Sequence, residues 1–342
     1  NWYPEKDKPL IFYGCDKLPT KNQFAGGGII KCQDLATIFP NTPGSGSILY
    51  LVSSALPYSV VPMVRFAKRK GLKVVLNQNG VAYPGWAKEG WERINIPYKS
   101  VIQAADFVFY QSQFCKKSAD RFLGAVQVPY SILHNSVDTS FFTPSTTQPE
   151  GFRLLLAGSH HQFYRIQVAL ETLEEVRRSI KDAKLVIAGR YLWRCNQKDA
   201  LQDAVNYAAA RGIEKCVEFS GAYFQNDAPI LMQGCHMLLH TQYNDSCPRL
   251  VVEAMSCGLP VVYSASGGTP ELVGDSAGIG IPAPLDWEKE HPPAASDLAE
   301  AVLKIWDNYP EYVKRARARA VEEFDVNLWI QRHREIFDML CH

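Results

Sequence analysis

The stretch Asn244–Gly274, NDSCPRLVVEAMSCGLPVVYSASGGTPELVG, decides how this chain is read. Asp245 lies eight positions before Glu253. Pro248 suits the first position of a helix and Gly258 its end, which puts Glu253 on the second turn. Leu259–Ser264 then predicts a short buried strand, and Ser266–Gly268 a turn into another helix. The start of a helix attracts anions through its free N–H groups and its dipole. Ionised carboxylates beside it accept hydrogen bonds from hydroxyls. Glu253 is flanked by Leu250, Val251, Val252, Ala254 and Met255, a setting in which a carboxylate is costly unless a partner satisfies it. Phosphate and sugar hydroxyls together suit a nucleotide sugar.

These residues resemble the donor-site signature of the retaining glycosyltransferases of family 4, which have the GT-B fold. That signature runs E-x7-E, then A-M-A-x-G-x-P-V-V and a GG-x-x-E-x-V turn. Glu253, Ala254, Met255, Gly258, Pro260, Val261, Val262, Gly267, Gly268, Glu271 and Val273 match it. The first acidic position holds Asp245 in place of Glu, one methylene shorter. The resemblance implies that Asp245 contacts the transferred sugar and stabilises positive charge at its anomeric carbon. It implies that Glu253 holds the ribose hydroxyls and that Cys247, Pro248, Arg249, Leu250, Gly267 and Gly268 border the donor. Pro248 lacks an N–H, so the phosphate contacts of that loop depart from the family norm.

Around this stretch the 342 residues alternate short apolar runs with longer amphipathic ones, as parallel α/β layers require. Strands are predicted at 10–13, 47–52, 72–77, 106–110 and 130–133, with helices at 27–39, 59–70 and 113–123 between them. A Pro/Ser/Thr stretch over 143–149 has the composition of a linker. A second series restarts at 152–157 and continues with 185–188, 217–220, 237–240, 259–264 and 277–281. Helical patterns over 297–308, 311–323 and 328–340 end the chain. The expected organisation is an N-terminal Rossmann-like, acceptor-side domain over 1–145 and a donor domain over 150–322. The resemblance, which covers about Lys73 to Ile281, implies a helix over 323–342 crossing back to the first domain. It also implies two doubly wound domains facing a central cleft, with ligands at the C-terminal ends of their strands.

Composition narrows the function classes. A net charge of +1 gives no electrostatic reason to expect nucleic acid. No apolar run approaches the roughly 18–20 residues that span a bilayer, and no stretch reads as a signal peptide. The nine cysteines are scattered without a C-x-x-C pair, which reads as reduced thiols in a cytoplasmic protein. The Asn244-Asp245-Ser246 sequon would carry a glycan into the donor loop, and that favours the same compartment. Arg65, Lys68, Arg69, Lys70 and Lys73 end an apolar helix. Peripheral membrane docking there is the less favoured reading, because a cationic helix C-terminus is stabilising by itself.

Further candidates lie outside the opening stretch. Gly26, Gly27 and Gly28 open a helix after the first strand, where backbone N–H groups suit a phosphate. In GSHHQFYR, residues 158–165, Ser159 stands where family 4 carries Arg, and Tyr164 where it carries Lys. A diphosphate still needs positive charge; Arg165 is the first choice, with Arg190 and Arg249 as substitutes. His160 and His161 read as ordinary loop histidines. Asn79 falls where many family members have a His near the sugar. An amide hydrogen-bonds hydroxyls but cannot act as a base, and the retaining mechanism routes the acceptor proton to the leaving phosphate oxygen instead. Tyr83, Trp86 and Trp91 read equally as an acceptor platform or as rings pinning their loop. No D-x-D or metal-ligand cluster accompanies the acidic pair, so neither metal nor cofactor is expected. The resulting expectation is a metal-independent retaining glycosyltransferase taking a nucleotide-diphosphate sugar and a hydroxyl acceptor (glycan, lipid or small molecule). The alternatives are a nucleotide-sugar-binding module without transferase activity and a nucleotide-sugar epimerase of similar fold.

Overall fold

A computed structural model describes residues 9–20, 23, 26–147 and 149–342. The chain forms two compact units. The first comprises 1–135, 287–289 and 326–342; the second comprises 136–286 and 290–325.

In the first unit the chain order is β1 (Ile11–Phe12), α1 (Gly27–Ala36), β2 (Ile48–Val52), α2 (Val60–Arg69), β3 (Lys73–Gln78), α3 (Pro84–Ala87), α4 (Trp91–Ala104), β4 (Phe107–Tyr110), α5 (Gln113–Ala119) and β5 (Tyr130–Ile132). The strands form a parallel sheet in the order β1-β2-β3-β4-β5. A parallel sheet is covered on both faces, so its strands are apolar throughout rather than alternating. Along β2, Leu49 and Leu51 face one core while Ile48, Tyr50 and Val52 face the other. The stretch holding Tyr83, Trp86 and Trp91, read as a loop from sequence, contains α3 and α4. Buried Val101 and Ile102 anchor α4 to the sheet, and Asn95 ties it to the Ala82 backbone by two hydrogen bonds (3.0 and 2.8 Å).

The second unit contains β6 (Arg153–Leu156), β7 (Ser159–His160), α6 (Tyr164–Ser179), β8 (Lys184–Ala188), β9 (Arg190–Tyr191), α7 (Gln197–Ala210), β10 (Val217–Gly221), α8 (Ala228–Gln233), β11 (Met237–His240), α9 (Arg249–Ser256), β12 (Val261–Ala265), α10 (Thr269–Val273), β13 (Gly278–Pro282), α11 (Ala295–Asp307) and α12 (Tyr309–Phe324). Its parallel sheet runs β10-β8-β6-β11-β12-β13, and β7 pairs with β9 beside it. The order turns back at β6, since β8 lies on one side of it and β11 on the other. Such a switch point is where doubly wound sheets bind ligands. Alternate residues of β6 again serve two cores, Leu154 and Leu156 on one face and Leu155 on the other.

The passage between units falls at Asn135–Ser136 rather than at the Pro/Ser/Thr stretch. Val137 and Phe142 are the reason. Both are buried in the second unit, where the Val137 N–H donates to the Phe324 carbonyl at 2.8 Å. The last helix, α13 (Val326–Cys341), belongs to the first unit and buries Trp329, Ile330 and Phe337 in its core.

Candidate active site

The acidic pair is built on the second unit. The strand β11 is fully buried and ends at His240, the loop 241–248 carries Asp245, and α9 carries Glu253. The helix begins at Arg249, with Pro248 as the cap residue before it rather than as its first turn. Glu253 does find the partner its apolar surroundings demand. Arg249, one turn earlier, places Nε 2.9 Å from Glu253 Oε1, and both side chains are about nine-tenths buried. The charge of Glu253 adds to burial in raising the Tyr223 hydroxyl and in pushing the Cys257 thiol up to about 12.

Asp245 sits on a backbone fixed from several directions. The Tyr243 N–H donates to Tyr164 Oη (3.0 Å), and the Asn244 N–H donates to Ser266 Oγ (2.8 Å). Asn244 itself adopts φ +50°, a left-handed conformation that Asn tolerates better than most residues. The Gly268 N–H then donates to the Asp245 carbonyl at 2.8 Å. The Gly-Gly turn therefore grips the acidic loop from behind. The Asp245 carboxylate stays partly open to solvent, with Oδ2 3.2 Å from Nε2 of the buried His240.

Positive charge reaches the same end of the sheet. The Arg165 Nη1 donates to the Ser159 carbonyl (2.8 Å), and Arg190 Nη2 donates to Ser159 Oγ (3.1 Å). Two guanidiniums from α6 and β9 thus converge on the residue that stands where the resembled family has Arg. Arg165 is buried; burial lowers its pKa, and electrostatic interaction with Tyr164 and Asp245 opposes that shift. Its proximity also helps burial keep His160 and His161 below the usual histidine range. Arg249 pairs with Glu253. Among the described residues no group of three or more His, Cys, Asp or Glu side chains could hold a metal ion.

The remaining sequence candidates belong to the first unit. Gly26 caps α1, and both Gly26 and Gly27 have open space where a side chain would be. At Gly28 that space is taken, since a Cβ would stand 2.7 Å from that of Ala55 and 2.8 Å from Ser54 Oγ. Gly28 therefore serves close helix packing. The Asn79 N–H donates to Ser53 Oγ at 2.8 Å, beside a buried polar group of Asn77, Gln78, Gln111 and Ser112 at the ends of β3 and β4. Tyr83 is buried against Phe122 and Trp287, and Trp91 packs edge-on to Phe122, so both rings pin their segment. Trp86 alone of the three is exposed, at 49 %.

Comparison with known proteins decides the family. The profile described as Glycosyl transferases group 1 matches residues 145–321, just over half of the chain. The chain belongs to this family. Among curated relatives, the phosphatidylinositol N-acetylglucosaminyltransferase gpi3 subunit of Schizosaccharomyces pombe is 22% identical over 310 residues, which is 87% of this chain and 60% of that protein. A phosphatidylinositol N-acetylglucosaminyltransferase component from Arabidopsis thaliana is 24% identical over 216 residues, 61% of this chain and 45% of that protein. The chain thus spans about half the length of these relatives. Among solved structures, Anabaena HepE in complex with UDP-glucose superposes with a TM-score of 0.69 at 19% identity, over 86% of this chain and 79% of that one. At that identity the likeness speaks for the fold, and the two Rossmann-like parallel-sheet units of this chain are those of the GT-B class.

His240 does not stand out in the sequence as part of this site. Its one signal is a polar side chain ending an otherwise apolar strand, immediately ahead of the acidic loop. The contacts of Ser159 with Arg190 and of Ser266 with Asn244 are hidden because they join residues more than twenty positions apart.

Proposed function

We propose that this glycosyltransferase moves a sugar from a nucleotide-diphosphate sugar to a hydroxyl acceptor, with retention at the anomeric carbon and without a metal ion. The observation that carries the reading is the division of labour in the acidic pair. Glu253 is paired with Arg249 near the start of α9, where it suits ribose hydroxyls, while the Asp245 carboxylate is partly open on a fixed backbone, where it suits the sugar. The UDP-glucose complex of HepE supports the donor class.

In this reading the diphosphate leaves with its negative charge facing Arg165, Arg190 and the first N–H groups of α9. Preorganised charge of this kind is usually the largest catalytic contribution. Asp245 favours the positive charge that develops on the sugar as the bond to phosphate lengthens. The acceptor hydroxyl attacks the same face, and its proton passes to the leaving phosphate oxygen, so Asn79 need not act as a base. The names of the two curated relatives make an inositol phospholipid the first acceptor to try.

The test is to incubate the purified chain with UDP-, GDP- and ADP-sugars, with and without phosphatidylinositol vesicles, and to follow nucleoside diphosphate release and the stereochemistry of the product. Release of UDP that depends on acceptor and persists in EDTA supports the reading. Loss of turnover in EDTA with recovery in Mn²⁺ overturns its metal-independent part. Donor binding with no turnover leaves a binding module, and an isomerised donor leaves an epimerase.

A further inference from the structure

Asp245 is shorter than the Glu of the family signature, and the side chain at ion-pair distance from it comes from an element the signature does not include. His240 ends β11, and its side chain is only 3% exposed, with Nε2 3.2 Å from Asp245 Oδ2. Neither ring nitrogen has a hydrogen-bond partner among the described residues, and the approach of Nε2 to Asp245 Oδ2 is one of distance, without hydrogen-bond alignment. A buried polar ring without partners is costly, and this one is directed at the carboxylate that the functional reading places against the sugar. The surroundings leave it little else to serve. His160, whose Nε2 lies 3.1 Å from the Ala188 carbonyl at the end of β8, and Arg165, which donates to Ser159, are engaged elsewhere.

We propose that His240 is a positioning residue for Asp245. At 3.2 Å a small turn of either side chain brings an Nε2–H donor onto Oδ2, and a carboxylate oxygen can only accept. One carboxylate oxygen is thereby held back toward β11, and the other is turned outward for the sugar. The backbone is already fixed by Ser266 and Gly268, so the side-chain torsions are the freedom left to remove. Asp has fewer of these than Glu, so a fixed imidazole can set it with one contact. The shorter acid and the histidine work as a pair.

This inference rests on the proposed donor chemistry, and the experiment separates the two. The variants are His240→Leu, His240→Gln, Asp245→Asn and the double variant His240→Leu/Asp245→Asn. Each is checked for folding by circular dichroism and assayed for kcat, donor KM and UDP affinity. A group acting through Asp245 in the transition state lowers kcat by roughly 10-fold or more in His240→Leu, with KM and UDP affinity changed by less than about 2-fold. His240→Gln, whose amide N–H can reach the carboxylate, recovers part of that loss. In the double variant the His240 change adds nothing to Asp245→Asn, because its target charge has gone. The inference is overturned if the two losses multiply, or if His240→Leu turns over like the unaltered chain. It is also overturned if Gln and Leu are equivalent. Absence of turnover in the unaltered chain brings down the functional reading instead, and this inference with it.

Discussion

Gly267 lies so close behind Asp245 that a Cβ built on it would stand 2.2 Å from the Asp245 carbonyl oxygen. Its φ of +65° would strain any L side chain as well. The Gly-Gly turn thus has a mechanical role in this protein whatever it does for a ligand. Gly267→Ala is therefore expected to cost on the order of 1–3 kcal/mol of stability and to displace the acidic loop. Turnover should fall well beyond the stability loss, and denaturant melts alongside kcat read both effects. A variant with native kcat and native midpoint would show that the loop tolerates the shift.

The acidic pair should separate by kinetics. Asp245→Asn keeps shape but removes charge, so kcat should fall roughly 10²-fold while donor affinity stays close to native. Glu253→Gln should weaken donor and free nucleotide together. It should also lower the melting temperature, since Arg249 is left nearly buried beside a neutral amide. Equal behaviour of the two variants in both assays would mean that the pair acts as one structural unit.

The course of β11, its loop and α9 was legible because an unbroken apolar run, Pro248 and Gly258 punctuate it in the way parallel α/β units require. Arg249 reads from sequence as a substitute phosphate contact, and the structure adds its pairing with Glu253 one turn later. The helix α4 was hidden for a physical reason. Pro97 lies inside it, and one of its buried positions is Asn95, so the apolar period is broken where packing is tightest. The two-residue strands β7 and β9 are too short to leave any period, yet they bring Ser159 beside Arg190. The contact of His240 with Asp245 depends on the path of a loop, which no local pattern encodes.

The two guanidiniums at Ser159 allow a direct test of where the diphosphate binds. Arg165→Ala should weaken nucleoside diphosphate binding far more than nucleoside binding, because a charge-assisted contact to phosphate is lost. Arg190→Ala should show the same asymmetry to a smaller degree, since Arg190 is partly exposed and Arg165 is buried. Calorimetry with UDP and uridine decides it. Equal loss for both ligands would move the phosphate away from this loop.

The last prediction concerns α13 and pH. His333 is fully buried in the first unit, with Nδ1 2.9 Å from the Trp329 carbonyl and Nε2 2.9 Å from Tyr50 Oη. A carbonyl can only accept, so the proton sits on Nδ1 and Nε2 accepts from the Tyr50 hydroxyl. Burial pushes this histidine down to about 3. The folded chain therefore keeps the ring neutral, while the unfolded chain protonates it near the ordinary histidine value of 6.5. The stability contributed by the neutral ring is fully present above pH 6.5 and is progressively lost as pH falls toward 3, by up to about 1.4 kcal/mol per pH unit. His333→Leu should lose the Tyr50 hydrogen bond at pH 7 and be less stable there. The deficit should shrink, then reverse, between about pH 6 and 4.5, because leucine has no proton to take up. Urea midpoints of both proteins across that range cancel the contributions of His160, His161 and His236, whose pKa values burial also lowers. A difference that stays constant across the same range would show that His333 accepts a proton without unfolding its helix.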